Sequence, residues 1–446
     1  MFSSEIAPSR GLIVLGFFVL AMVSTACGGG GGDGSGPPIT LYVRASGNDG
    51  NTGEAPESAL RSIRTAVLRA RGGDTIIVGP GRYTPPAETA GIVVDITAKT
   101  ASPRQPLLIR ADPTGASTGD SPGNVEIDSA TGPFGFRLTG SSGIVIDGFV
   151  IVGGRGTNTA GIQVRSGSSD VIVRNCEIRQ NLGDGIRIEA SNRAVVLNNL
   201  IWDNGNRGVQ VSGGGTGSDG TRIVNNTVAS NGNDGISIGG GVITNTFLRN
   251  NLIVDNVQRG IDTDGDATRG YDADYNLVFP TATAYGILTP KGLNDLSVDP
   301  LLIGGFRLAQ IASGQGVNSA AVNAGDPATA AEFRTVVSTR TTATDERLDL
   351  DRLDIGYHYL SSFMPPPTAT PIMTQTGAPA TPLATPTPFP PGGQLFVRAT
   401  AGNNENNGST AALAFRTIKK AVDIAGPGTV VDKRNQAHFP VVVRCD

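Results

Sequence analysis

The sequence predicts an all-β solenoid, a parallel β-helix, on three observations. Residues 134–279 repeat one unit about every 25 residues, each unit is built of short period-2 runs of Val and Ile, and Gly, Asn, Asp and Ser separate the runs. No segment of the region carries the i, i+3, i+4, i+7 apolar stripe of a helix, which sets aside leucine-rich and ankyrin-like units.

The repeat reads in two registers. One is a Gly followed by alternating apolar residues, at Gly135, Gly161, Gly185, Gly208, Gly235 and Gly260, spaced 26, 24, 23, 27 and 25 apart. The other aligns without gaps as VIVRNCEIRQN (171–181), AVVLNNLIWDN (194–204), TRIVNNTVASN (221–231) and TFLRNNLIVDN (246–256), with a looser IVIDGFVI at 144–151. About 25 residues suit three short strands and three turns per coil, each coil stacked on the next at roughly 4.8 Å.

These GIxI…VxIxNNxIxxN rungs resemble the right-handed parallel β-helix repeats of the pectate-lyase-like superfamily, over roughly residues 41–360. The resemblance implies an all-β, right-handed parallel β-helix with an N-terminal amphipathic capping helix. It says less about activity, because such rungs occur in lyases, hydrolases, epimerases, adhesins and proteins without known activity. It also implies that Asn199, Asn226 and Asn251 form an inward asparagine ladder, with Cys176 ending that stack as a buried small residue.

From the N-terminus, residues 1–27 read as an export signal. A 13-residue apolar run (11–23) follows Arg10 and is too short to span a bilayer, and Ser24-Thr25-Ala26-Cys27 resembles a bacterial lipobox, making Cys27 the candidate lipidation site. Residues 28–40 are a Gly-rich tether. The expected address is therefore the outer membrane or cell surface, or secretion, with the membrane reached only through a lipid on Cys27.

Residues 41–362 form the β-helix domain. Leu60, Ile63, Val67 and Ala70 share a helical face and predict a cap of three to four turns over the open end of the solenoid, with Arg61, Arg64, Arg69 and Arg71 on its solvated side. Residues 91–133 are expected to hold the first two coils with long loops, and residues 299–327 and 347–359 the closing coils, with His358 in a structural place. Residues 363–393 are a Pro/Thr-rich linker that cannot build a core. Residues 394–446 repeat the cap at an offset of 354–355 without rungs after it, a truncated copy that exposes the apolar face it should cover and is expected to be poorly ordered.

Candidate chemistry lies outside the rungs, because the apolar residues of each Gly-Ile-x-Ile strand point inward. Stacking makes a column Arg137, Gln163, Arg187, Gln210, Ser237, Asp262 and a second one of Thr139, Arg165, Glu189, Ser212, Gly239, Asp264; Asp184, Arg207, Asp234 and Arg259 precede the strands. A mixed polar wall suits hydrogen bonding to a long glycan, although any solenoid needs polar outer residues. Substrate contacts are assigned to Arg137, Gln163, Arg165, Asp184, Gln210, Asp234 and Arg259.

Lyase action on a uronic-acid polymer needs a base and a cation to neutralise the carboxylate. Families of this resemblance use Lys or Arg, often with Ca²⁺, and residues 134–279 contain no Lys, so Arg187 or Arg207 would be the base with Glu189 beside it. Asp262, Asp264 and Asp266 form a candidate calcium site, in an order that does not match an EF-hand.

The net charge of −4 argues against nucleic acid. The expected function is an exported, monomeric envelope protein that binds or presents polysaccharide without catalysis. The alternative is a polysaccharide lyase acting on an acidic polymer.

Overall fold

The computed structural model describes residues 36–85, 91–130, 132–156, 158–265, 270–280, 283–349 and 352–360, and the strands Gln394–Val397, Val430–Lys433 and Val441–Arg444. The chain divides into two units, Met1–Pro365 and Pro366–Asp446.

In the first unit each coil lays down three strands in turn, as in Ala160–Arg165, Ile172–Arg174 and Glu177–Arg179. Like strands of successive coils pair in parallel, making sheet I of seven strands, sheet II of nine and sheet III of eight. Inward residues consequently stack in files: Phe136, Ile162, Ile186, Val209, Ile236 and Ile261 follow one another in register through sheet I, all fully buried.

Polar rows fix the corners. The first Asn of each NN pair (Asn198, Asn225, Asn250) and Asn175 adopt left-handed φ of 53–58° and turn the chain from sheet II to sheet III, a conformation Asn tolerates better than most residues. The following residue points inward. Asn199 Nδ2 donates to Asn226 Oδ1 at 3.0 Å, Asn226 to Asn251 at 3.0 Å and Asn251 to Asn276 at 2.9 Å. Cys176 ends the row as expected, its N–H donating to Asn199 Oδ1 at 3.0 Å.

The next corner carries a second row that the sequence reading did not assign. Asn181, Asn204, Asn231 and Asn256 are linked amide to amide at 2.9–3.0 Å, each preceded by a residue at left-handed φ. The repeating Gly of the other register packs against the sheet III side chains, the oxygen of the equivalent residue one coil on and, at four of its six positions, this row. A Cβ on Gly208 would lie 2.3 Å from Val228 Cγ1, 2.7 Å from the Gly235 oxygen and 2.9 Å from Asn231 Nδ2.

The cap differs in extent from expectation. Helix α1 is Ile63–Arg69, two turns rather than three to four, because Leu60 is extended and bridges to Val43 before the Ser62 side chain caps the helix by accepting the Thr65 N–H. Ile63, Ala66 and Val67 are buried as predicted. Arg61 and Arg69 are not simply solvated: they donate to carbonyls of Ala45, Asp49 and Thr52 and hold the preceding loop.

Residues 91–133 contain one coil rather than two (Ile92–Thr97, Leu107–Ala111, Val125–Asp128), since the loops between the strands consume the remaining length. The closing coils are also replaced. After Phe279 the chain makes one more, irregular turn of the solenoid, in which Tyr285 bridges in parallel to Ile261, Leu296 to Leu277, and Asp295 Oδ1 continues the asparagine row by accepting from Asn276. It then forms the antiparallel pair Leu302–Ile303 with Arg307–Leu308 and helix α2 (Ala331–Val337), and returns along the corner asparagines. Asp326 N–H donates to Asn250 Oδ1, Asn225 Nδ2 to the Asp354 oxygen, and Asn198 exchanges two bonds with the His358 backbone at 2.7 and 3.0 Å. His358 is fully buried, with Nε2 2.8 Å from Asp349 Oδ2 and Nδ1 3.0 Å from the Gly356 oxygen. Its place is structural, within a returning strap rather than a coil.

In the second unit Gln394–Val397 pairs in parallel with Val430–Lys433, as Thr40–Val43 pairs with Thr75–Val78 in the first cap. Val441–Arg444 adds to the other side antiparallel, where the first cap continues with a parallel strand. The signal, Cys27 and the 363–393 linker lie outside the described residues.

Two outcomes test this account. Asn226→Ala removes donors to the Val196 and Val224 oxygens and strands the Asn199 N–H, so urea denaturation should show a loss of about 2–4 kcal/mol; a loss under about 0.5 kcal/mol would show that the row is dispensable. Burial pushes the Cys176 thiol up to about 12, so a thiol reagent at neutral pH should label it only after unfolding.

Candidate functional site

The outer face of sheet I is a ladder of polar side chains set by strand register. Asp95, Arg137, Gln163, Arg187, Gln210, Ser237 and Asp262 are consecutive partners across seven strands, and Thr97, Thr139, Arg165, Glu189 and Ser212 run beside them. The structure thus brings together the two predicted columns and extends the first by Asp95.

Most of the arginines are engaged. Arg137 reaches Asp95 at 2.6 Å. Arg187 is 2.6 Å from Asp184, whose side chain is fully buried, and also donates to the Asn158 oxygen at 3.1 Å. Asp184 Oδ1 further accepts the Arg207 backbone N–H at 3.2 Å and Asn206 Nδ2 at 2.7 Å. Arg207 Nε lies 3.8 Å from Asp234 Oδ2, beyond hydrogen-bond reach, and has no hydrogen-bond partner among the described residues. Asp234 Oδ1 accepts the Arg259 N–H at 3.2 Å. The turn residues therefore form an alternating file of acid and base, Asp184, Arg207, Asp234, Arg259, tied coil to coil.

Other members are less committed. Arg165 donates Nε to Ser166 Oγ at 3.1 Å and stands beside Glu189 in register, while Gln163 is buried with Oε1 unpartnered among the described residues. Burial first, and the neighbouring Asp262 second, raise the Asp234 carboxyl above the ordinary carboxylate range.

Of the calcium candidates, Asp262 closes the first column, Asp264 sits two residues on, and Asp266 lies outside the described residues. Among the described residues no three His, Cys, Asp or Glu side chains converge to hold a metal ion.

Two grooves lie off this face. One of about 740 Å³ runs over sheet II, floored by Val145, Ile172 and Val195 and walled by α2. The other, of about 830 Å³, lies where the returning strap meets the turns between sheets II and III. The sequence held a partial signal for a covered outer face on sheet II: Val195–Leu197 (VVL) is continuously apolar and Ile144–Asp147 (IVID) and Ile172–Arg174 (IVR) nearly so, the pattern of strands buried on both sides.

Stacked coils, inward asparagine rows and a capped end define a right-handed parallel β-helix protein. Residues 122–276 match the family model described as the right handed beta helix region. No curated protein sequence matches the chain. Among solved structures it is similar to a rhamnogalacturonan lyase (12% identity, TM-score 0.42, 62% of this chain and 92% of that one). It is similar also to pectate lyase Pel9A (16%, 0.34, 72% and 96%) and to an alginate lyase from Paenibacillus sp. str. FPU-7 (15%, 0.34, 54% and 76%). At these identities and scores the likeness says nothing of this chain's activity.

The folded chain holds the Asp234 proton more tightly than the unfolded chain does, so this group favours the fold less as pH rises from the ordinary carboxylate value through its raised pKa. Asp262→Asn should lower that pKa in a carboxyl-carbon NMR titration, and an unchanged titration would show that Asp262 does not act on it.

Proposed function

We propose that sheet I of this exported rod binds polysaccharide without transforming it. The carrying observation is the pairing of Arg187 with the fully buried Asp184 at 2.6 Å. A lyase base must accept a proton, and a guanidinium held against a buried carboxylate is fixed in its charged, donor-only form. Arg207 sits in the file between Asp184, which accepts its backbone N–H, and Asp234, 3.8 Å from its Nε. The face then works as a row of fixed donors and acceptors spaced one coil apart, roughly 4.8 Å, which suits many weak contacts to one extended chain. Arg165, Glu189, Gln210 and Arg259 supply the contacts, with Arg137 and Gln163 beneath them.

The proposed setting is the cell envelope, with a lipid on Cys27 and the Gly-rich tether holding the rod away from the membrane. Calcium at Asp262, Asp264 and Asp266 would bridge this end of the face to carboxylates of an acidic polymer.

Purified protein should be retarded in gels containing pectate, alginate or chondroitin, and should release no unsaturated uronate, followed by its ultraviolet absorbance, with or without Ca²⁺. The double substitution R165A/Q210A should weaken retardation about three- to tenfold. Uronate release abolished by Arg187→Ala or Arg207→Ala would establish a lyase instead, and unaltered retardation of R165A/Q210A would remove sheet I as the binding face.

A further inference from the structure

The groove between the returning strap and the turns joining sheets II and III carries an uncompensated positive charge. Arg307 lines it and is only 7% exposed. Its Nη1 donates to the Ala343 oxygen at 2.6 Å, and its guanidinium lies 4.2 Å from the centre of the Tyr359 ring. No carboxylate among the described residues comes within ion-pair distance of it. Burying a cation without a counter-charge is costly, and a structural arginine ordinarily has its carboxylate beside it.

Two further arginines, Arg110 and Arg340, line the same groove, also without an ion pair among the described residues. The two acids of the lining are already used: Asp147 binds Arg174 and Glu177 binds Arg179, each at 2.9 Å. Three positive charges are therefore left facing about 830 Å³ of open groove, a volume within the range of small-ligand sites. Tyr359 and Tyr357, packed edge to face at 4.7 Å, supply an aromatic wall, and the Tyr359 hydroxyl is fixed by donating to the Gly305 oxygen.

We propose that this groove is a second binding site, for a carboxylate-bearing saccharide whose acid groups pair with Arg110, Arg307 and Arg340 while a sugar ring lies against Tyr359. Planar guanidinium forks match carboxylates in two-point contacts, and the aromatic wall takes the apolar face of a ring. The ligand class rests on the polysaccharide reading above, but the site is on the opposite side of the coil from sheet I and uses none of its residues.

The single Trp of the chain makes the proposal testable by itself. Trp202 on sheet III packs on Phe306 at 5.7 Å and donates Nε1 to Glu177 Oε1 at 3.2 Å, so it adjoins two walls of the groove and lies away from sheet I. Hexagalacturonate added to the full chain should produce a saturable change in Trp202 fluorescence, and the fully methyl-esterified hexamer should not. In R110Q/R340Q, which leaves buried Arg307 in place and should keep the wild-type thermal midpoint, the Kd read at Trp202 should weaken about tenfold and depend less steeply on salt. In R165A/Q210A it should be unchanged. No saturable change, equal binding of the esterified hexamer, or wild-type affinity in R110Q/R340Q overturns the site. Polymer retardation of R165A/Q210A separately decides the sheet I reading, so either can fail without the other.

Discussion

The inward asparagine rows are the constraint on which the rest of this molecule depends. A coil that turns within one residue leaves backbone oxygens and amides in a dry interior, where each unpaired group costs about 1–3 kcal/mol. Asn226 answers for its own corner and both neighbours: it accepts from Asn199 and donates to Asn251 and to the Val196 and Val224 oxygens. Such a row works only if every coil is in phase, since a slip of one residue would turn the amides outward. The second row, Asn181 to Asn256, needs the space that glycine leaves in the neighbouring strand. Corner chemistry thus sets the length of the repeat, and the repeat sets which side chains meet outside.

Outward columns follow from that phase without further design. On sheet I they are polar and largely self-neutralising, with Arg137 on Asp95 and Arg187 on Asp184. On sheet II the same register places Val145, Ile172 and Val195 outward, and the chain meets this with cover: Phe333 of α2 packs with Leu197 and Val224. Sheet II and its corner asparagines are where the strap docks.

The periodic part of this arrangement was legible in the sequence because periodicity reports directly on stacking. Residues 134–279 disclosed the coil, the inward files and the columns of the candidate site, while the first asparagine row with Cys176 at its end came from the resemblance to β-helix repeats. The second row went unread although Asn181, Asn204, Asn231 and Asn256 stand in the aligned copies, since an Asn at a strand end is also an ordinary turn residue. The strap was not legible for a physical reason. Its contacts join Asn198 to His358 and Asn225 to Asp354 across 160 and 129 residues, and they run through backbone atoms that any sequence supplies. Ion pairing was likewise hidden: that Arg187 meets Asp184 three residues away depends on a buried corner, not on spacing.

Charge pairing separates the two outer regions more sharply than shape does. A guanidinium with its carboxylate beside it has little to gain from a ligand's anion, which would have to compete with a partner already in place. Arg187 is in that position, so sheet I offers many modest contacts and no strong one. Arg307, Arg110 and Arg340 are in the opposite position, since Asp147 and Glu177 are held by Arg174 and Arg179. Arg307 in particular is kept from water by Tyr359 and by the strap that the asparagine corners anchor. The fold therefore spends stabilisation gained along the corners on holding a cation out of solvent, and an anion entering beside Tyr359 would recover part of that cost on binding.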